Sequence, residues 1–178
     1  MSAPATEPRS HATAWDADRL VTELYACEYR SLVRLAVLLV HDVPTAEELV
    51  QDAFAAMHGG WRRPRNTKKA LFYLRRAVVR RSRSVLSQPA VAHKNAPDPA
   101  SDGPGAEQGG IALLERSPVV AALRMLPGRQ REAIVLRYYA GLSDAQIAAA
   151  MGVSGGSVTS HTARGMSSLR PILDQQIS

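Results

Sequence analysis

Residues 143–164 read SDAQIAAAMGVSGGSVTSHTAR, and this stretch decides the fold. Ser143 is followed three residues later by Gln146, the spacing of a capping box at a helix start. A short helix is predicted over Asp144–Met151. Gly152 supplies the left-handed backbone that a tight exit requires. Ser154 then caps a second helix beginning around Gly155. Ala148 is small enough to let two helix axes approach, and Ile147, Met151, Val153 and Val158 are spaced to fill the space between them. The pattern is a helix-turn-helix, a unit that can lay its second helix in a DNA major groove. Ser154, Gly155, Ser157, Thr159, Ser160, His161 and Arg164 then point outward. Only Arg164 among them is permanently charged. Hydroxyls and backbone N–H groups hold phosphate less strongly than Arg or Lys, so another part of the chain must supply most of the attraction for a polyanion.

Upstream of this unit the signals remain helical. Ser117-Pro118 is a cap followed by proline at the first helical position. Val119, Val120, Leu123 and Leu126 give one helix, broken at Pro127-Gly128. Ala133, Ile134, Leu136 and Tyr138 give the next, ended by Gly141. The last helix is expected to stop near Arg170, before Pro171. Between Ser87 and Gly110 the apolar periodicity vanishes, and Pro89, Pro97 and Pro99 precede five Pro or Gly residues between Gly103 and Gly110. That composition predicts a flexible linker.

The N-terminal part reads as three more helices. One is expected from a cap at Asp16–Asp18 to about Val40, with Leu20, Val21, Leu24, Tyr25, Tyr29, Leu32, Val33, Leu35 and Ala36 at three- and four-residue spacings. Cys27 within it reads as a buried small hydrophobe. A second helix starts from a Thr45/Glu48 capping box, carries the stripe Leu49, Val50, Ala53, Phe54 and Met57, and ends at Gly59-Gly60. A third runs from about Thr67 to Val85, with Leu71, Leu74 and Val78 on one face and Phe72 and Tyr73 at its borders, packed towards the core. Alternating apolar segments and hairpin turns are lacking. The expected fold is all-α: two small helical domains, 16–86 and 113–174, joined by a flexible linker over 87–112, the C-terminal domain holding the helix-turn-helix.

Charge divides the chain further. Of 178 residues, 22 are Lys or Arg and 16 Asp or Glu, a net +6. Residues 1–52 carry 4 basic and 9 acidic side chains, residues 53–97 carry 11 basic and none acidic, and residues 98–178 carry 7 of each. A carboxylate-free block suits a polyanion, because a merely solubilising surface mixes both signs. Trp61, Phe72 and Tyr73 are interleaved with ten Lys or Arg between Arg62 and Arg83, and exposed aromatics among cations can stack on unpaired bases.

Other chemistry finds no support. One cysteine excludes an internal disulfide framework and a multi-Cys zinc site. The five histidines are scattered, no two-His metal pair or nucleophile–base arrangement stands out, and neither catalytic residues nor a cofactor or metal are expected. No stretch reaches the length of an apolar membrane span and the N-terminus lacks a secretory core, so a cytoplasmic setting without membrane insertion is expected.

With these motifs in this order, the chain resembles the extracytoplasmic-function (ECF) branch of the bacterial sigma-70 family. Three stretches carry the likeness: Thr45-Ala46-Glu47-Glu48-Leu49-Val50-Gln51-Asp52-Ala53-Phe54 resembles region 2.2, Tyr73-Leu74-Arg75-Arg76-Ala77-Val78-Val79 resembles regions 2.3 and 2.4, and Leu126-Pro127-Gly128-Arg129-Gln130-Arg131-Glu132-Ala133 with the helix-turn-helix resembles region 4. The resemblance implies that Glu47, Glu48, Gln51 and Asp52 dock on the β′ clamp helices of core RNA polymerase, with region 4 on the β flap. It implies that Trp61, Arg62, Arg63, Lys68, Lys69, Arg75, Arg76 and Arg80 bind the minus-ten promoter element and help melt it. Ser154, Ser157, Thr159, Ser160, His161 and Arg164 would read the minus-thirty-five element. Thr159 and His161 stand where members commonly have Lys and Arg, and Arg80 and Ser84 where Asn and Asp are common. The family's linker threads polymerase channels, where Asp98, Asp102 and Glu107 would imitate phosphates. An anti-sigma factor is a further partner the resemblance allows. The alternative is a free-standing helix-turn-helix transcription regulator, which has no use for an acidic docking face beside a basic helix.

Overall fold

The computed structural model describes residues 10–60, 66–88 and 105–178, all helices and connecting turns. The elements are α1 (Ser10–Val40), α2 (Val43–Gly59), α3 (Thr67–Ser87), α4 (Gly105–Glu115), α5 (Pro118–Arg124), α6 (Gly128–Ile134) with a π-helical continuation over Val135–Tyr139, α7 (Asp144–Met151) and α8 (Gly155–Ile177). Helices α1, α2 and α3 pack on one another, and α5, α6 and α7 gather around α8.

Helix α1 starts at Ser10, six residues before the expected cap. Ser10–Ala14 contains no Gly or Pro, so a helix nucleated downstream extends through it at little cost. Its inward residues Leu24, Leu32, Val33, Leu35, Ala36, Val37 and Leu39 are buried. Cys27, expected inside, is exposed, because it lies on the flank of α1 opposite this stripe. His41 ends α1 in the left-handed region at φ 67°. The cap of α2 is Asp42, not Thr45: the Thr45 N–H donates to Asp42 Oδ2 at 2.9 Å. Val43 and Pro44 occupy the first two helical positions, where proline's fixed φ and missing N–H cost nothing. Thr45 is thereby already inside the helix. At α3, the Lys69 N–H donates to Asn66 Oδ1 at 2.8 Å, and Leu74, Ala77, Val78 and Val79 turn inward.

The stretch expected as linker is helical from Gly105, where α4 begins. Ile111 is buried and Leu114 packs against the core, and α4 lies on α1 and α2. That apolar contact overrides the poor helix propensity of Gly105, Gly109 and Gly110. Helix α8 also outruns its expected stop, continuing through Pro171 to Ile177. Pro171 is exposed, and the turn after it keeps Ile172 and Leu173 against the core; that packing offsets the lost backbone bond. Gly165 is the crossing point of α8 with α6. A Cβ there would lie 2.5 Å from Ile134 Cδ1.

The two helical groups are docked on each other, whereas the sequence reading expects them only tethered. Buried Arg131 donates to the carbonyls of Leu123 (3.0 Å) and Leu126 (2.8 Å) in its own group and of Leu39 (3.0 Å) at the end of α1. Arg124 donates to the His41 carbonyl at 3.2 Å, and Glu115 accepts the Val43 N–H at 3.0 Å. Arg83 of α3 grips Glu132 of α6 through both carboxylate oxygens, at 3.0 and 2.8 Å. The Tyr139 hydroxyl donates to the Ser31 carbonyl at 3.1 Å.

His41 sits at this seam with neither ring nitrogen hydrogen-bonded. Burial first, then the Arg131 and Arg124 charges, pull its pKa down to about 4 from 6.5. Between those values the unfolded chain is the better proton acceptor, so His41 favours folding fully above about pH 6.5 and this contribution is lost as pH falls towards 4. The shift corresponds to roughly 3 kcal/mol across the window. His41→Asn, which tolerates the left-handed backbone, is expected to flatten the fall in stability over that range in thermal denaturation. An equally steep fall in both proteins would refute this account of His41.

Candidate nucleic-acid and polymerase interfaces

The helix-turn-helix forms as its caps dictate. The Ser143 N–H donates to Gln146 Oε1 at 2.9 Å, and the Gln146 N–H to Ser143 Oγ at 3.3 Å. Gly152 is left-handed at φ 69°, ψ 38°. The N–H groups of Gly152 and Val153 both reach the Ala148 carbonyl, at 2.9 and 3.1 Å. Ile147, Met151 and Val158 are buried between the helices. Ser154 Oγ accepts the Ser157 N–H at 3.2 Å, capping α8.

Of the residues expected to face DNA here, Ser154, Thr159 and Arg164 are exposed, and Ser157, Ser160 and His161 are half-buried. The Thr159 hydroxyl donates to the Gly155 carbonyl at 3.3 Å, which uses its proton and leaves its lone pairs as acceptors. Gly156 is exposed with open space where a Cβ would stand, so backbone can come close to a phosphate at the start of α8. The adjacent glycines 155 and 156 are the sequence signal for this feature, and only Gly155 is among the residues expected to point outward.

Helix α3 presents a second, more strongly charged surface. Lys68, Lys69, Arg76 and Arg80 are exposed, and Arg75 is half-buried. Trp61, Arg62 and Arg63 lie outside the described residues, as do Asp98 and Asp102, and the side chain of Glu107 likewise. Tyr73, expected to pack inward, is 41% exposed; Phe72 beside it does pack against the core. One step along a helix rotates a side chain by about 100°, and that step separates the two rings. Tyr73, Arg76, Ala77, Arg80, Arg81 and Ser84 line an open groove of about 480 Å³ along one face of α3. An aromatic ring flanked by guanidiniums can stack on a base while its neighbours hold the adjoining phosphates.

The acidic surface lies on α2. Glu48, Gln51 and Asp52 are exposed and Glu47 is half-buried. Burial raises the Glu47 carboxyl above its ordinary pKa. Gln51 Nε2 donates to the Tyr29 hydroxyl at 3.4 Å. Tyr29 is raised chiefly by burial, with that hydrogen bond opposing. Tyr25, Tyr29 and Phe54 form an aromatic cluster beside these groups, with Tyr25 4.7 Å from Tyr29 and 5.1 Å from Phe54 between ring centroids. Tyr25, expected in the apolar stripe of α1, is 46% exposed. Among the described residues no three or more His, Cys, Asp or Glu cluster as a metal site, and no helix is long and apolar enough to cross a membrane.

Comparison with known proteins matches two family models to the two helical groups: sigma-70 region 2 over residues 24–88 and sigma-70 region 4 over residues 116–169. The RNA polymerase sigma-E factor of Streptomyces coelicolor is 31% identical over 146 residues, covering 79% of this chain and 78% of the relative. The ECF RNA polymerase sigma factor SigM of Mycobacterium tuberculosis is 32% identical over 155 residues, covering 85% and 76%. The chain belongs to the ECF branch of the sigma-70 family. The fold of this sigma factor is similar to that of CnrH, solved in complex with the cytosolic domain of CnrY, with a TM-score of 0.61 and 20% identity over 92% of this chain and 98% of that one. In family terms α1, α2 and α3 make up the region 2 match, and α5 to α8 the region 4 match.

Replacing Gly152 tests the helix-turn-helix directly. Gly152→Ala forces a Cβ into left-handed backbone and should cost about 1–2 kcal/mol. Gly152→Asn should cost less, since Asn visits that region. Denaturant titration reads both, and equal stability of the Ala variant and the parent would contradict the turn geometry.

Proposed function

We propose that this ECF sigma factor binds core RNA polymerase through α2, carries it to promoters through α8, and helps open the minus-ten element with α3. The single observation that carries the reading is the division of charge between adjacent helices. Exposed Glu48 and Asp52 on α2 offer carboxylates to a protein partner, namely the β′ clamp helices. Helix α3 offers Arg76, Arg80 and exposed Tyr73 with no carboxylate of its own. Strand opening couples the two, because unstacking costs a few kcal/mol per step and stacking returns about 1–3 kcal/mol per base. Ser154, Ser157, Thr159, Ser160, His161 and Arg164 are assigned to the minus-thirty-five element, Lys68, Lys69, Arg75, Arg76 and Arg80 to the minus-ten element, and the region 4 group to the β flap. No catalytic residue is assigned, and the setting is the cytoplasm. The fold likeness to CnrH, solved with a cytosolic protein domain on it, supports adding an anti-sigma protein to the partners of the free factor.

Charge reversal at Glu48 and Asp52 should weaken core-polymerase binding at least tenfold and leave affinity for promoter DNA nearly unchanged. Unaltered polymerase affinity would remove the docking assignment and favour a free-standing regulator. Arg75→Ala with Arg76→Ala should reduce promoter opening more than duplex binding in a permanganate footprint made with core enzyme. A bubble of normal intensity would sink the role given to α3. Each lost phosphate contact should also lower the salt dependence of single-strand binding by about 0.7 in log–log slope.

A further inference from the structure

We propose that the groove on α3 selects guanine: Tyr73 stacks on the base, Arg80 grips its O6 and N7 acceptors, and Arg76 and Arg81 hold the phosphates on either side. This assignment rests on the promoter-binding reading above and names the base that the surface takes. Tyr73, Arg76, Ala77, Arg80, Arg81 and Ser84 line the groove. Tyr73 is its one aromatic side chain and is 41% exposed. Arg80 is also exposed, and its guanidinium has no partner among the described residues, unlike that of Arg83, which is committed to Glu132.

Helix geometry arranges these residues with distinct places in the groove. Each step along the helix turns a side chain by about 100°. With Tyr73 at zero, Ser84 stands at about 20°, Ala77 at about 40° and Arg80 at about −20°, all close to the mid-line. Arg76 falls at about −60° and Arg81 at about 80°, on the two borders. Ala77 follows Tyr73 by four residues and precedes Arg80 by three, so the three are neighbours on the helix surface. Ala77 is buried, and its methyl makes a low floor between ring and guanidinium. Side chains on a helix lean towards its N-terminus, which carries Arg80 back over that floor towards the tyrosine. A base stacked on Tyr73 turns one edge to Arg80.

The charged groups of the groove are all donors. An arginine fork needs two adjacent acceptors, and guanine presents them as O6 and N7. Adenine sets an amino group beside its N7, and thymine sets a methyl beside its O4, so each gives the fork a single acceptor. No Asn, Gln, Asp or Glu lines the groove. The donor–acceptor pair that adenine wants is therefore missing, as is a carboxylate for the cytosine N4 amino group. The neutral polar side chains, Tyr73 and Ser84, carry one hydroxyl each and cannot match a two-atom edge. Base pairing leaves the O6/N7 edge of guanine free, so one contact serves before and after a strand opens. The adjacent acceptors of cytosine, O2 and N3, take part in base pairing and come free only once the strand has opened.

The test measures binding of the full chain to short fluorescein-labelled strands of thymidine with one central substitution, by anisotropy at low salt. Guanine at the centre should tighten binding about tenfold over adenine, within what a bidentate pair discriminates. Inosine keeps O6 and N7 and should bind like guanine. Deazaguanine lacking N7 should bind like adenine. Arg80→Gln should move the preference to adenine, because a glutamine amide matches adenine N6 and N7. Tyr73→Ala should lower affinity for every strand alike, by about tenfold. Deazaguanine binding like guanine, cytosine binding more tightly than guanine, or an Arg80→Gln protein that loses affinity for all strands equally overturns the assignment. Equal binding of every strand also overturns it but leaves the role of α3 in promoter opening standing, whereas failure to bind any strand sinks that role and the guanine site together.

Discussion

One guanidinium holds the ends of two helices together. Arg131 is buried, and it is tolerable there because three carbonyls converge on it, two at the C-terminal end of α5 and one at that of α1. Helix C-termini carry unsatisfied carbonyls and partial negative charge, so the cation and the two helix ends satisfy each other. Burial still lowers the Arg131 pKa, with Glu132 opposing. The consequence for His41 is direct. An imidazole beside Arg131 and Arg124 cannot take on a proton cheaply, and the left-handed turn at His41 redirects the chain into α2.

Much of the molecule was legible because its signals are local. Ser143, Gln146, Gly152 and Ser154 act through neighbours within four residues, and the helix-turn-helix they specify forms with the expected hydrogen bonds. The apolar stripes of α2 and α3 follow in the same way. Where local signals compete, the reading slips. Asp42 and Thr45 are both good caps, and only Pro44, acceptable in a first turn, decides for Asp42. Where the deciding contact is distant, sequence pattern is silent. Helix α4 exists because Ile111 and Leu114 find α1, and α8 runs past Pro171 because Ile172 and Leu173 have a core to reach. Tyr73 sits at the edge of a helical stripe, where a small rotation settles which side of the boundary a side chain takes. The docking of the two groups is less legible still, since Arg83 and Glu132 are 49 residues apart and each looks like an ordinary surface charge.

The functional surfaces follow from what each helix lacks. The described part of α3 has seven basic side chains and no acidic one, so its guanidiniums cannot quench one another through pairs along the helix. They must face solvent, a polyanion, or a carboxylate from elsewhere. Arg76 and Arg80 take the first course, and Arg83 the last. Helix α2 is the complement, with carboxylates on its outer face and only His58 near its end. Glu48, Gln51 and Asp52 on α2 and Arg76 and Arg80 on α3 are exposed. On the proposed function each surface would serve a separate partner.

The first three turns of α8, residues 155–164, are by contrast nearly uncharged, with hydroxyls and glycines and Arg164 as their one arginine. Contacts of that kind orient a protein on a duplex more than they attract it. On the proposed assignment, a charged α3 and a nearly neutral start of α8 would contribute unequally to DNA affinity. Under that assignment the attraction for a polyanion would reside mainly in α3, and α8 would set the orientation of the protein on the duplex.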